Sequence, residues 1–167
     1  MTTRNDPETQ PIFSDEDRHF MQLALLEAQK ALEHGDVPVG AVAVLHGEVI
    51  GSGFNARERD RDPTAHAEVI AMRVASQHIH HWRLDDVTLY CTLEPCSMCA
   101  GAMVLARLPR LVFATIDPKA GAGGSIMNIV QHPQLNHRVD VSHGLFADEA
   151  AEQLRAFFRD LRAQGKK

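Results

Sequence analysis

Only three cysteines occur in this 167-residue chain. An odd set of that size does not build a disulfide framework. With two of them read below as metal thiolates, a reducing, cytoplasmic setting is expected. Long hydrophobic runs are also missing. The longest strongly apolar stretch, Val37 to Leu45, is far too short to span a bilayer, so no membrane segment is expected. The polar start, Met1 to Pro11, has none of the apolar core that a secretory signal needs. Basic charge is not in surplus either. With 17 Lys and Arg against 22 Asp and Glu, the formal net charge is −5, which argues against a protein that binds nucleic acid indiscriminately through its phosphates. There are no internal repeats, and no linker divides the chain.

What is present is the material for one core: 44% of the residues are hydrophobic, and the length suits a single domain. A tail is expected over 1–13, a domain over 14–163 and a short basic tail over 164–167. Ser14 followed by Asp15, Glu16 and Asp17 reads as a capped helix start. Phe20, Leu23, Ala24, Ala28 and Ala31 then share one helical face, which stops at Gly35. Val39 to Leu45 and Glu48 to Phe54, separated by His46-Gly47, read as a β-hairpin. A helix is expected from about Ala65 to Gln77, a strand over Val87 to Cys91 and a second helix over Ser97 to Ala106. Leu111 to Thr115 reads as a strand and Val139 to Ser142 as a short edge strand. The final segment, Ala147 to Ala163, reads as an amphipathic helix with Leu154, Phe157, Phe158 and Leu161 on its core side. Strands alternating with helices after a hairpin indicate an α/β fold, a three-layer α/β/α sandwich around a mixed five-stranded sheet. The segment from Ala120 to Ser125 is Gly-rich but lacks the Lys-Ser/Thr of a phosphate-binding loop, so it reads as a plain loop.

The chemistry concentrates in two short segments, His66-Ala67-Glu68 and Pro95-Cys96-Ser97-Met98-Cys99. Two thiolates and an imidazole suit tetrahedral zinc, and three protein ligands leave a fourth position for water, the catalytic rather than the structural arrangement. Cys96 and Cys99, three residues apart, share a face at a helix N-terminus, whose positive end favours thiolate. A lone Cys-x-x-Cys also fits half a zinc ribbon, a redox pair or two buried thiols, and a structural zinc remains open on spacing alone. The Pro before the pair and the upstream His-x-Glu weaken the redox reading. Glu68 alone reads as a first-turn acid. Next to a metal ligand it becomes a candidate acid/base. Glu94 reads as a partner supporting the helix of the metal-ligand pair, and Cys91 as a buried strand thiol.

These two segments resemble the zinc-dependent nucleobase deaminases. The resemblance extends to Asp36-Val37-Pro38-Val39-Gly40-Ala41-Val42, Asp62-Pro63-Thr64-Ala65, Thr92-Leu93-Glu94, Ala100-Gly101-Ala102-Met103 and Asn136-His137-Arg138-Val139. It covers about Ser14 to Arg162 and is similar to the bacterial tRNA-specific adenosine deaminase family. The resemblance implies a cytidine deaminase-like fold and one Zn²⁺ per chain on His66, Cys96 and Cys99, with Glu68 catalytic. It implies hydrolytic conversion of adenosine to inosine at the wobble position of a tRNA anticodon stem-loop, by a homodimer. It further places Asn55 and the backbone of Ala67 against the purine, Val37 and Val39 as apolar walls, and Asp117 near the sugar of the flipped nucleotide. Pro118 and Ala120 depart from the family's Ala and Thr in that last segment.

A local basic patch is nevertheless available: Arg57, Arg59 and Arg61 before the metal helix, His132, His137 and Arg138 after the Gly-rich loop, and Arg155, Arg159, Arg162, Lys166 and Lys167 at the end. Two other readings are carried forward: a deaminase of free guanine, cytidine or a related small base, which needs no RNA-binding surface, and a structural zinc-binding interaction module, in which Glu68 has no chemical role.

Overall fold

The computed structural model describes residues 12–166. Most of the expected tail over 1–13, namely 1–11, lies outside the described residues, as does residue 167 of the expected basic tail. Helix α1 (Asp15–Leu32) begins with a reciprocal capping box. Ser14 Oγ accepts from the Asp17 amide, and the Asp17 carboxylate accepts from the Ser14 amide. Strands β1 (Gly40–Leu45) and β2 (Glu48–Phe54) form the expected hairpin. Its two-residue turn holds both His46 and Gly47 at positive φ, 51° and 80°, the backbone twist that matches antiparallel strands.

A short helix α2 (Arg57–Asp60) follows, then α3 (Ala67–Ile79), β3 (Val87–Leu93), α4 (Ser97–Leu105), β4 (Arg110–Thr115), β5 (Asp140–His143) and α5 (Ala147–Ala163). The sheet order is β2-β1-β3-β4-β5. β1 runs antiparallel to both β2 and β3, while β3, β4 and β5 are mutually parallel. The expected mixed five-stranded sheet is therefore observed, with β5 at an edge.

Side-chain alternation divides the core into two. On one face Ala41, Ala43, Leu89, Cys91, Leu111 and Phe113 pack with α3 and α4 residues, among them Ala71, Met72, Ala100 and Met103. On the other, Val42, Val44, Tyr90, Val112 and Ala114 meet Phe20, Met21 and Ala24 of α1 and Ala150 of α5. This is the three-layer sandwich. α3 lies unusually close to β2: a Cβ on Gly53 would stand 2.6 Å from the carbonyl oxygen of Ala67. Glycine there lets the first turn of α3 rest on the sheet.

Two local expectations change. α3 starts at Ala67 rather than Ala65, because His66 is an extended N-cap (φ −84°, ψ 148°), and it runs on to Ile79. Phe158 of α5 is 41% exposed rather than core. Leu154 still packs on the core, while Phe157, Phe158 and Leu161 line a groove with Leu26 and Leu32 of α1. Among the described residues, no helix is long and apolar enough to cross a membrane.

Candidate active site

The site forms where β3 ends and α4 begins, the end of a parallel strand pair at which open α/β sheets commonly bind ligands. His66 caps α3 and Cys96 caps α4, both with extended backbone. The two helix N-termini thus converge, as the spacing predicts. His66 Nδ1 lies 3.6 Å from Cys96 Sγ and 3.5 Å from Cys99 Sγ, and the two sulfurs are 3.7 Å apart. Tetrahedral zinc with its usual bond lengths requires sulfurs about 3.8 Å apart and sulfur–nitrogen edges of about 3.6 Å. The triangle fits that ion on all three sides. It is also the group of potential ligand atoms that the structure brings together among the described residues.

The electrostatics agree with the donor set. The Cys99 thiol and the His66 ring hold Cys96 down at about 3, helped by the first-turn amide of Cys99. The same hydrogen bond, with burial, pushes Cys99 up. A cation held there needs both sulfurs as thiolates, so its binding displaces thiol protons. The Cys96 contact raises His66 above its ordinary value, against the opposing effect of burial.

Glu68 occupies the first turn of α3 and is 3% exposed. Burial pushes its carboxyl up to about 7, with its own backbone amide, and then His66 and Cys99, only partly opposing the shift. A carboxyl poised near neutrality beside three atoms that could hold a metal is suited to acid/base work in hydrolytic chemistry.

The remaining site candidates surround the same end of the sheet. Val39 is 3% exposed and its carbonyl accepts from the Asn55 amide at 3.0 Å. Val37 is half-buried just before it. Asn55 Oδ1 accepts from the Ala67 amide at 3.1 Å, which fixes the side-chain amide and leaves its NH₂ as the donor. The Ala67 N–H is thereby occupied by Asn55, and its side chain is buried. Asp117 follows β4, half-buried, and its Oδ1 accepts from the amides of Lys119 and Ala120 at 2.9 and 3.2 Å. Pro118 sits inside that turn, exposed.

Sequence reasoning missed how the two flanking loops are held. The buried carboxylate of Asp36 accepts from the amides of Glu58 and Arg59 at 2.8 and 3.2 Å, tying down α2 and its arginines. Glu94, 1% exposed, faces the 117–125 loop rather than supporting the helix of the cysteine pair. Burial by itself would raise Glu94. The Ser125 hydroxyl and the amides of Asp117, Ser125 and Gly123 outweigh it and hold the carboxyl below its usual range. Cys91 is fully buried and its thiol is pushed well up, as a strand thiol would be. Of the loop arginines, Arg59 is paired with Asp60 at 2.7 Å and lies over the Phe54 ring. Arg57 is exposed and near enough to His66 to oppose its protonation.

Residues 14–162 match the family model of the MafB19-like deaminases. Over 151 residues the chain is 45% identical to the tRNA-specific adenosine deaminase of Bacillus subtilis, covering 90% of this chain and 94% of that one. The chain belongs to the tRNA-specific adenosine deaminase family. The deaminase also superposes, at a TM-score of 0.79 and 46% identity, on a structure from a study of A-to-I editing by tRNA:A34 deaminases at the wobble position of transfer RNA; 81% of this chain and 99% of that chain are covered. A guanine deaminase from Bacillus subtilis is similar as well, at a TM-score of 0.59 and 36% identity, with 68% and 71% covered. This family is zinc-dependent in general, and the deaminase carries the His/Cys/Cys group that could hold the metal.

Proposed function

We propose that this deaminase converts adenosine to inosine at the wobble position of a tRNA anticodon, with one zinc ion per chain on His66, Cys96 and Cys99 and with Glu68 as its acid/base. The observation that carries the chemistry is the metal-sized His66–Cys96–Cys99 triangle with a buried carboxyl, poised near neutrality, two residues along α3. The substrate rests on relatives whose names specify tRNA and adenosine.

Zinc bound there supplies a Lewis-acid site at which water becomes acidic near neutral pH. Glu68 takes the water proton as oxygen adds to C6 of adenine and delivers it to the ring nitrogen beside that carbon; it then takes the proton of the new C6 hydroxyl as the carbonyl forms and passes it to the departing amine, which leaves as ammonia. The NH₂ of Asn55, oriented by its bond to Ala67, donates to the purine. The backbone of Ala67 lies at the attacked edge, Val37 and Val39 form the apolar walls, and Asp117 meets the sugar. An anticodon loop suits such a pocket because its bases are already unpaired and extrude at low cost.

The enzyme acts as a cytoplasmic homodimer in this reading. Large exposed apolar side chains support an apolar contact surface around the loop after β4: Ile116, Ile126 and Met127 are 52%, 54% and 45% exposed. The test is inosine formation in an anticodon stem-loop RNA bearing a wobble adenosine, with zinc-loaded protein and Glu68→Ala as the blank. Product from the wild type alone is expected. A zinc-loaded wild type that leaves the RNA unchanged but deaminates guanine would replace the tRNA reading with a free-base one.

A further inference from the structure

Glu94 is the most extensively bonded side chain near the site, and its partners are all in one loop. Its Oε2 accepts from the Asp117 amide at 2.8 Å and from the Ser125 hydroxyl at 2.6 Å. Its Oε1 accepts from the amides of Gly123 and Ser125, both at 3.0 Å. Four donors converge on one carboxylate, using both oxygens. The loop has been shaped to allow this approach: a Cβ on Gly121 would stand 2.3 Å from Glu94 Oε2 and equally close to Ser125 Oγ. The Gly-rich composition of this loop therefore serves a protein carboxylate.

The anchor is itself rigid. Glu94 donates its own amide to the Thr115 carbonyl at 2.8 Å, and the next residue, Pro95, accepts from the Ala122 amide at 2.8 Å. One end of the clamp is thus built into the link between β3 and the cysteine-bearing helix. The other end is Asp117, whose backbone is held by Glu94 and whose side chain is turned by the Lys119 and Ala120 amides. Pro118 limits the same turn further through its fixed φ.

We propose that Glu94 is a positioning residue that sets Asp117, and with it the 117–125 loop, at the rim for the incoming nucleotide. This rests on the RNA reading given above. Glu94 acts on capture of the nucleotide and not on the bond-making step, because every one of these hydrogen bonds goes to the loop. Gln in its place keeps the shape but turns an NH₂ toward an N–H or O–H donor, so one side of the clamp opens.

The experiment compares zinc-loaded wild type with Glu94→Gln, Ser125→Ala, Asp117→Ala and the Glu94→Gln/Asp117→Ala double variant. Zinc content, amide hydrogen exchange, and kcat and KM on the anticodon stem-loop are read for each. For Glu94→Gln, one zinc per chain is retained and the Asp117, Gly123 and Ser125 amides exchange faster. KM rises about tenfold, the scale of one lost charge-assisted bond, and kcat stays within about threefold. Ser125→Ala, at an exposed residue, gives the same pattern at about threefold in KM. The double variant is no worse than its worse parent, since both act through Asp117. Loss of zinc, a fall in kcat at unchanged KM, unchanged exchange, or additive effects in the double variant would each overturn the proposal. If Glu94→Gln does not fold, Ser125→Ala decides alone: unchanged exchange and KM refute the clamp. A wild type that makes no inosine would refute the tRNA reading, while the exchange measurement would still decide whether the clamp exists.

Discussion

Glu68 and Glu94 are both buried glutamates within reach of one site, 3% and 1% exposed, yet their regions treat them in opposite ways. At the mouth of α3, desolvation prevails and lifts Glu68 to about 7. In the link before α4, four donors prevail over desolvation and hold Glu94 low. Burial alone therefore does not suit a carboxylate to acid/base work; burial that leaves its proton labile near neutral pH does. Asp17, on the opposite face of the sheet, is a third instance. Burial is outweighed there by Arg110 at 2.8 and 3.1 Å, by the Tyr90 hydroxyl at 2.8 Å and by the Ser14 amide, so its carboxyl lies at about 2.

The largest expected effect separates the two glutamates. Glu68→Gln lowers kcat on the order of 10²- to 10⁴-fold, the range for removing a general acid/base, with one zinc per chain retained by metal analysis. A Glu68→Gln enzyme that keeps more than a tenth of wild-type kcat would collapse the distinction.

The next effect, on stability, tests whether the donors rather than burial set the behaviour of a buried carboxylate. Asp17 has a folded value of about 2 against an ordinary 3.8. A depressed value means stability present above pH 3.8 and lost as pH falls through about 2, worth roughly 2 kcal/mol. Denaturant unfolding from pH 7 to pH 2 should show this extra acid sensitivity in the wild type and its absence in Asp17→Asn, which will be less stable at pH 7. Equal acid slopes in the two proteins would show that the Arg110 and Tyr90 contacts do not govern the titration.

The smallest effect concerns the rim across from the Glu94 loop, where Asp36 holds α2. Arg57→Ala is expected to weaken stem-loop binding by only a few-fold and to reduce the salt dependence by about one ion. Binding and salt slope both unchanged would remove Arg57 from the RNA surface.

Much of this arrangement was legible in the chain. The Ser14 capping box, the His46-Gly47 turn and the five strands follow from local chemistry that acts within a few residues. The coming together of His66, Cys96 and Cys99 was legible because cysteine and histidine at helix starts carry their meaning in spacing. The start of α3 was misplaced by two residues because an N-cap histidine has no strong propensity signature, and its extended backbone is set by the loop it ends. Phe158 was misplaced because periodicity shows which residues share a face but not how much of that face the neighbouring elements cover. The clamps of Glu94 and Asp36 were least legible. Their partners are backbone amides more than 20 residues further along, and an amide leaves no trace in the sequence.

The most direct test of the contrast is single-turnover inosine formation at saturating stem-loop RNA, with wild type, Glu68→Gln and Glu94→Gln each loaded with one zinc per chain. The account predicts product at comparable rates from wild type and Glu94→Gln and essentially none from Glu68→Gln. Failure of Glu94→Gln under these conditions, or turnover by Glu68→Gln, would contradict it.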